Sequence, residues 1–352
     1  MTATPTDFDF SVLDALFEPI MQRAVAQIGQ TSTTLEQIAE YHMGWRNSDF
    51  SPVTGARPNA GKRIRPRLAM LVTSALGSDP GLAAPVAAAI ELLHNFTLVH
   101  DDIQDRSHLR RHRPTVWSLW GEAQAINAGD ALFASSHLAL YEISSRPETA
   151  GLLAPVATAF DRTTLAIVGG QTMDIENEGD ASVQLDRYLQ TIAGKTSAIV
   201  EFSAWAGGLV AGATEQQATD LAAFGLATGL AFQIRDDVLG IWGTAEETGK
   251  TPADDIRRQK QTPPLIELRQ VASEAERAEL DHWRAEAPNS EEAVAAILRL
   301  LDRYDMRAFA DALVRAYHDD AAAALGRVVS RDANDASRQL YALLDGLEHR
   351  SS

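Results

Sequence analysis

An apolar helical pattern that runs without a break into three carboxylates constrains this chain more than any other feature. The stretch is Glu91-Leu-Leu-His-Asn-Phe-Thr-Leu-Val-His-Asp-Asp-Ile-Gln-Asp105. At about 100° per residue, Asp101 and Asp105 lie one helical turn apart and about 40° apart around the axis, with Asp102 beside them. Like charges at this spacing on a solvated helix cost only about a few tenths of a kcal/mol, so an acidic surface cluster needs no function. Here, however, Leu92, Leu93, Phe96, Leu98 and Val99 read as buried, and Arg106, Arg110, Arg111 and Arg113 follow at once. Two carboxylates a few Å apart in a partly desolvated site repel by roughly 3–4 kcal/mol at an effective dielectric of about 20. Such a helix end is built to hold a cation. Hard oxygen donors with no Cys or His in the cluster suit Mg²⁺, which usually binds through one or two carboxylates plus substrate phosphates.

A second stretch answers the first. Phe232-Gln-Ile-Arg-Asp-Asp-Val-Leu-Gly240 again ends an apolar run in paired carboxylates. Gln233, Asp236 and Asp237 share one face at i, i+3 and i+4.

The 352 residues are 45% hydrophobic and contain no Pro-rich or Gly/Ser-rich linker. One all-α domain over 1–352 is expected, a large helical bundle around a central apolar cavity, with 1–8 and 349–352 as disordered tails. There is no Cys, so disulfides, zinc ribbons and thiol nucleophiles are excluded. The first residues lack the basic and apolar regions of a signal peptide, and the run from Ala83 to Val99 is short for a membrane span. A cytoplasmic protein with no membrane span is expected. A formal net charge of −17 argues against nucleic acid as a partner. Against that acidic background, Lys62-Arg-Ile-Arg65 and Arg106 to Arg113 stand out as places to capture a small polyanion.

In chain order, 9–30 and 33–46 read as amphipathic helices and 51–60 as a loop delivering Gly61-Lys-Arg-Ile-Arg-Pro66. Lys62 and Arg65 point the same way, and Gly61 permits close backbone approach, an arrangement suited to gripping phosphate at a helix start. Residues 82–105 form the first acidic helix, where His94 lies about 20° and Thr97 about 40° off the line of Asp101. His100, His108 and His112 read as solvated or structural. Two long helices follow over 121–145 and 150–175. Gly169-Gly-Gln-Thr-Met-Asp174 falls in the second, predicting a kink or close helix packing, with Gln171 and Asp174 one turn apart. Further helices cover 184–211, with Gly194-Lys-Thr196 in the middle, and 216–239. A polar loop with Lys250 and Lys260 follows, long enough for a lid, and from Thr262 to about Leu347 the pattern is helical. No strand pattern or fixed-period repeat is present.

Taken together, GKRIRP, HNFTLVHDDIQD, RRHRPT, GQTMD, GKT, FQIRDD and the loop lysines resemble the all-α trans-prenyl diphosphate synthases, over about residues 58–262. The resemblance implies the isoprenoid synthase fold, an end product of geranylgeranyl length and a homodimer. It implies that Asp101 and Asp105 bind two Mg²⁺ ions with Asp102 in support, and that Asp236 binds a third. Arg110, Lys195 and Lys250 match groups that grip the allylic diphosphate, and Lys260 matches a further lid lysine. Lys62, Arg65, His94 and Arg111 match the pocket for isopentenyl diphosphate. Gln171, Asp174, Thr196, Gln233 and Asp237 match supporting positions. Phe96, five residues before the first motif, matches the position whose bulk limits chain length, with Thr97 beside it.

The chain departs from the family pattern at two points. Gly240 stands where many members carry a third aspartate, and Ala60 replaces the first Gly of the usual GGKR. Within the family the alternative is a farnesyl or longer-chain prenyl diphosphate synthase, and outside it two rivals remain: a terpene cyclase that binds no second diphosphate, and a non-catalytic subunit that modulates a partner synthase. The candidate isopentenyl pocket weighs against the first, and retention of both acidic clusters against the second.

Overall fold

The computed structural model describes residues 9–55, 61–248 and 251–348. The expected disordered tails, Ala60 and Lys250 lie outside the described residues. Contacts divide the chain into two compact units. The first holds 1–161, 203–218 and 334–337, and the second 162–202, 219–333 and 338–352.

The first unit contains α1 (Ser11–Ala26), α2 (Thr33–His42), α3 (Ile64–Ala75), α4 (Ala84–Gln104), α5 (Val116–Trp120) and α6 (Glu122–Tyr141). Ser32 starts α2 by accepting the Leu35 N–H at 3.2 Å, and Pro85 lies in the first turn of α4, where a missing N–H costs nothing. α4 packs against α6, α1 and α3, and Ala84 through Leu93 are all buried on it. That explains how a helix of such apolar content ends in carboxylates: its first half is core and only its last turns emerge. The strand-free expectation needs one correction. Leu109–Arg110 (β1) and Arg113–Pro114 (β2) pair antiparallel, a two-residue hairpin too short to carry an alternating pattern.

α7 (Leu153–Asn177) and α9 (Ala198–Val210) each contribute residues to both units, as do α10 (Glu215–Trp242) and α17 (Asp335–Glu348). Wholly in the second unit are α8 (Leu185–Ile192), α11 (Ala245–Thr248), α12 (Asp254–Arg257), α13 (Pro263–Val271), α14 (Glu274–Glu286), α15 (Glu291–Arg303) and α16 (Met306–Gly326). Val183, Tyr188, Ile192, Leu230, Ile234, Ile266 and Val314 form one apolar cluster there. A second joins Ile241, Ile256, Leu265, Leu280, Ile297 and Leu301. Ser273 and Glu276 form a capping box at α14.

The glycine pair in α7 marks close packing and not a break. The helix runs unbroken to Asn177, and Gly170 instead admits the neighbouring backbone: a Cβ there would lie 2.1 Å from Lys195 N. Among the described residues two helices are long and apolar enough to cross a membrane, Pro80–Gln104 and Ala150–Asn177, so the first run is longer than the sequence suggested. The first is 78% buried within the protein, as a core helix is, and the second only 22%.

Candidate active site

The first acidic cluster divides its labour. Asp102 is 2% exposed, whereas Asp101 is partly exposed and Asp105 exposed. Burial pushes the Asp102 carboxyl above its usual range, and Arg110 opposes that shift. Arg110, on β1, donates from Nε to both Asp102 oxygens at 2.9 and 3.0 Å, and its Nη2 lies 2.8 Å from Oδ1. The hairpin makes this possible, because Arg111 and His112 take left-handed φ values of 51° and 62° and return the chain over the end of α4.

Around the same helix the polyanion residues gather. Arg65 Nη1 lies 3.4 Å from His94 Nε2. Burial, then Arg65 and Arg111, hold the His94 imidazole well below its usual range, so it is a neutral hydrogen-bonding group. Gly61, at φ +58°, abuts Arg111: a Cβ there would lie 2.8 Å from Nη2, so both conformation and space call for glycine. Lys62 is exposed, and its carbonyl accepts from Arg67 Nη1 at 2.8 Å. Arg63, between them, turns inward at φ 46° and pairs with Glu18 at 2.5 Å. Sequence reasoning passed over His42, whose buried Nε2 has no hydrogen-bond partner and which lines a small cavity with Asp102, Arg110 and Arg111. It also passed over Glu91, 5% exposed, which accepts from Asn95 Nδ2 at 3.1 Å.

Phe96 belongs to a column of rings. It lies 5.2 Å from Phe133 and 4.9 Å from His100, and Phe133 continues to His137 at 4.8 Å. The His100 ring fills a notch where a Cβ on Gly129 would lie 2.2 Å from Nε2. Thr97 Oγ1 donates to His94 O at 2.8 Å and is tied to its own helix.

In the second unit the same division recurs. Asp236 is partly exposed, and Asp237 is 4% exposed. Asp237 accepts from Tyr188 OH at 2.5 Å and from Gln233 Nε2 at 3.0 Å, while Gln233 Oε1 accepts from Thr196 at 2.9 Å. Burial, reinforced by Asp255 and opposed by Lys260, pushes Asp237 up to about 7. A π-helical turn, Ala193–Ser197, joins α8 to α9 and pairs Lys195 with Asp174. Gln171 is partly buried on α7, one turn before Asp174. Lys260 Nζ lies 3.4 Å from Asp255 Oδ1. Burial works against the Lys260 ammonium, but Asp255, Asp237 and Asp174 overcome it and push Lys260 up to about 12. Tyr188 and Asp255 were missed from sequence, since neither belongs to a spaced motif.

Among the described residues no group of three or more His, Asp or Glu side chains could by itself hold a metal. What each motif offers is hard carboxylate oxygen from one or two residues. That donor set fits Mg²⁺, whose remaining positions are filled by water and phosphate oxygens.

These features define an all-α protein of the isoprenoid synthase fold with two aspartate-bearing helices flanked by fixed cations. The chain belongs to the polyprenyl synthetase family, whose sequence profile matches residues 52–301. It is 43% identical over 231 residues to a (2E,6E)-farnesyl diphosphate synthase of Mycobacterium bovis, covering 66% of this chain and 62% of that protein. Against a geranylgeranyl diphosphate synthase of Mycobacterium tuberculosis it is 40% identical over 257 residues, 73% of this chain and 71% of the other. A crystal structure of a polyprenyl synthetase from Streptomyces coelicolor superposes with a TM-score of 0.83 at 31% identity, covering 96% of this chain and 99% of that one.

Proposed function

We propose that the protein is a trans-prenyltransferase that condenses isopentenyl diphosphate with an allylic diphosphate, giving geranylgeranyl diphosphate. The observation that carries this reading is the repeated pairing of a buried, internally held aspartate with a partly exposed one. In each pair the buried member, Asp102 or Asp237, is held by the protein's own donors. The other, Asp101 or Asp236, lies toward solvent.

In this reading Asp101 and Asp105 would hold two Mg²⁺ ions and Asp236 would hold a third. Bound Mg²⁺ neutralises charge on the departing diphosphate. Arg110, Lys195 and Lys250 grip the allylic diphosphate, with Lys260 as a further cation. Lys62, Arg65, His94 and Arg111 hold isopentenyl diphosphate. Fixed cations aimed where charge develops stabilise the leaving group without reorganising as it departs. The double bond of isopentenyl diphosphate then attacks the allylic carbon, and a proton passes to the released diphosphate. No protein general base is required. Apolar surroundings keep water from the cation.

Phe96, whose ring is backed by Phe133 and His100, supports the geranylgeranyl reading. A farnesyl product is the second reading, favoured by the 43% identity to a farnesyl diphosphate synthase. We also propose a cytoplasmic homodimer. α7 supports it, because Leu165 is 72% exposed, with Val168 and Ile175 about half exposed on the same helix.

The test is incubation with Mg²⁺, isopentenyl diphosphate and each short allylic diphosphate, with products identified by mass. Geranylgeranyl diphosphate as the end product is expected. Accumulation of farnesyl diphosphate selects the second reading, a hydrocarbon indicates cyclisation, and no product from any primer rejects the assignment.

A further inference from the structure

Arg284 is a buried cation that the proposed reaction does not use. It lies on α14, in a part of the chain without a motif, and is 8% exposed. Burial, then the nearby Arg269, push its pKa down to about 10, which shows how unfavourable the site is for a guanidinium. Asp281 is the acid that opposes this shift, yet it is engaged by Arg269. No carboxylate among the described residues forms an ion pair with Arg284.

Its donors go to one short segment instead. Nη2 donates to Gln259 O at 2.6 Å and reaches Lys260 O at 3.4 Å, and Nη1 donates to Gln261 Oε1 at 3.2 Å. Gln259 Nε2 returns a hydrogen bond to Arg284 O at 3.0 Å. The segment is irregular, with Gln259 at φ 56°, so it has no helix or strand to stiffen it. On its other side, the Lys260 N–H donates to Asp255 O at 3.0 Å. Lys260 is therefore fixed between Asp255 and Arg284, with its side chain 46% exposed.

We propose that Arg284 is a positioning residue for Lys260, holding residues 259–261 so that the Lys260 ammonium is presented to a diphosphate group. A planar fork suits this task, since it serves two backbone carbonyls and an amide at once, whereas an ammonium on a flexible stem serves one. The inference rests on the proposed function in one respect, that the ligand carries a diphosphate.

Calorimetric titration of the full chain with inorganic diphosphate in the presence of Mg²⁺ tests it. Arg284→Met and Lys260→Met should each weaken binding about tenfold, and Arg284→Lys by nearly as much. The double variant Arg284→Met/Lys260→Met should bind within about twofold of Lys260→Met alone, because both act through one group. A merely structural arginine gives multiplied losses instead, and that result overturns the proposal. So does unchanged affinity in either single variant, or wild-type protein that does not bind diphosphate. If Arg284→Met does not fold, as judged by circular dichroism, the same cycle run with Arg284→Lys decides. Protein that follows the expected cycle but forms no prenyl product would sink the functional reading and leave the role of Arg284 standing.

Discussion

Asp255 and Gly240 compete for one space: a Cβ on Gly240 would lie 2.1 Å from Asp255 Oδ2. Gly240 stands where the family pattern would put a third motif aspartate, and here a carboxylate from α12 lies beside that place. Restoring the missing aspartate is therefore expected to harm the protein. Gly240→Asp overpacks a buried site and sets two carboxylates together, which should cost about 3 kcal/mol or more in chemical denaturation and at least about tenfold in turnover. The exchange Gly240→Asp/Asp255→Gly should recover most of both. Wild-type stability and turnover in the single variant would remove the argument.

The two kinds of aspartate predict two kinds of loss. Asp101→Asn and Asp236→Asn should lower kcat by about 10²–10³-fold with little change in Tm, since both side chains are partly exposed. Arg110→Met should instead cost about 3 kcal/mol of stability, because it strands the buried Asp102 carboxylate. Chelation of Mg²⁺ should stop product formation, and its return should restore it. Thermal melts beside steady-state rates separate these effects, and a large Tm loss in Asp101→Asn would contradict the division.

His42 sets a pH dependence. Burial, aided by Arg110 and Arg111, pushes its pKa from 6.5 down to about 3 in the folded protein. As pH falls below about 6.5 the unfolded chain takes up a proton that the folded one refuses, so stability is lost through that window. Between about pH 7 and pH 4, wild type should lose about 3 kcal/mol more than His42→Gln in urea titrations. Parallel curves for the two proteins would show that His42 does not titrate in this way.

Phe96→Ala should lengthen the product. The change opens space beneath the growing tail while Phe133 and His100 remain as the next rings in the column. Incubation with isopentenyl diphosphate and mass analysis reads the result directly, and an unchanged chain length rejects Phe96 as the limit.

Both aspartate motifs and their helices were legible because each combines an apolar period with charges at fixed spacing, and those features are local. Arg65 and His94 were legible for the same reason. Arg63 was not distinguishable from its neighbours, because its inward turn depends on a left-handed residue that an arginine does not announce. The Asp255 carboxylate beside Gly240 and the Tyr188 hydroxyl on Asp237 join distant parts of the chain, and no spacing rule reaches them. The hairpin at Arg110 escaped because two residues per strand are too few to alternate.

The π-helical turn at Ala193–Ser197 has a consequence for how this chain tolerates length changes. A turn of this kind holds one residue more than an α-helix would over the same rise. Deleting a single residue there would leave a smooth helix with α8 and α9 still in phase, yet would shift the side chains inside the turn, taking Thr196 off Gln233 and Lys195 off Asp174. The irregularity thus works as local slack that places Lys195 and Thr196, and a deletion that tidied the helix would silence the polar face they carry.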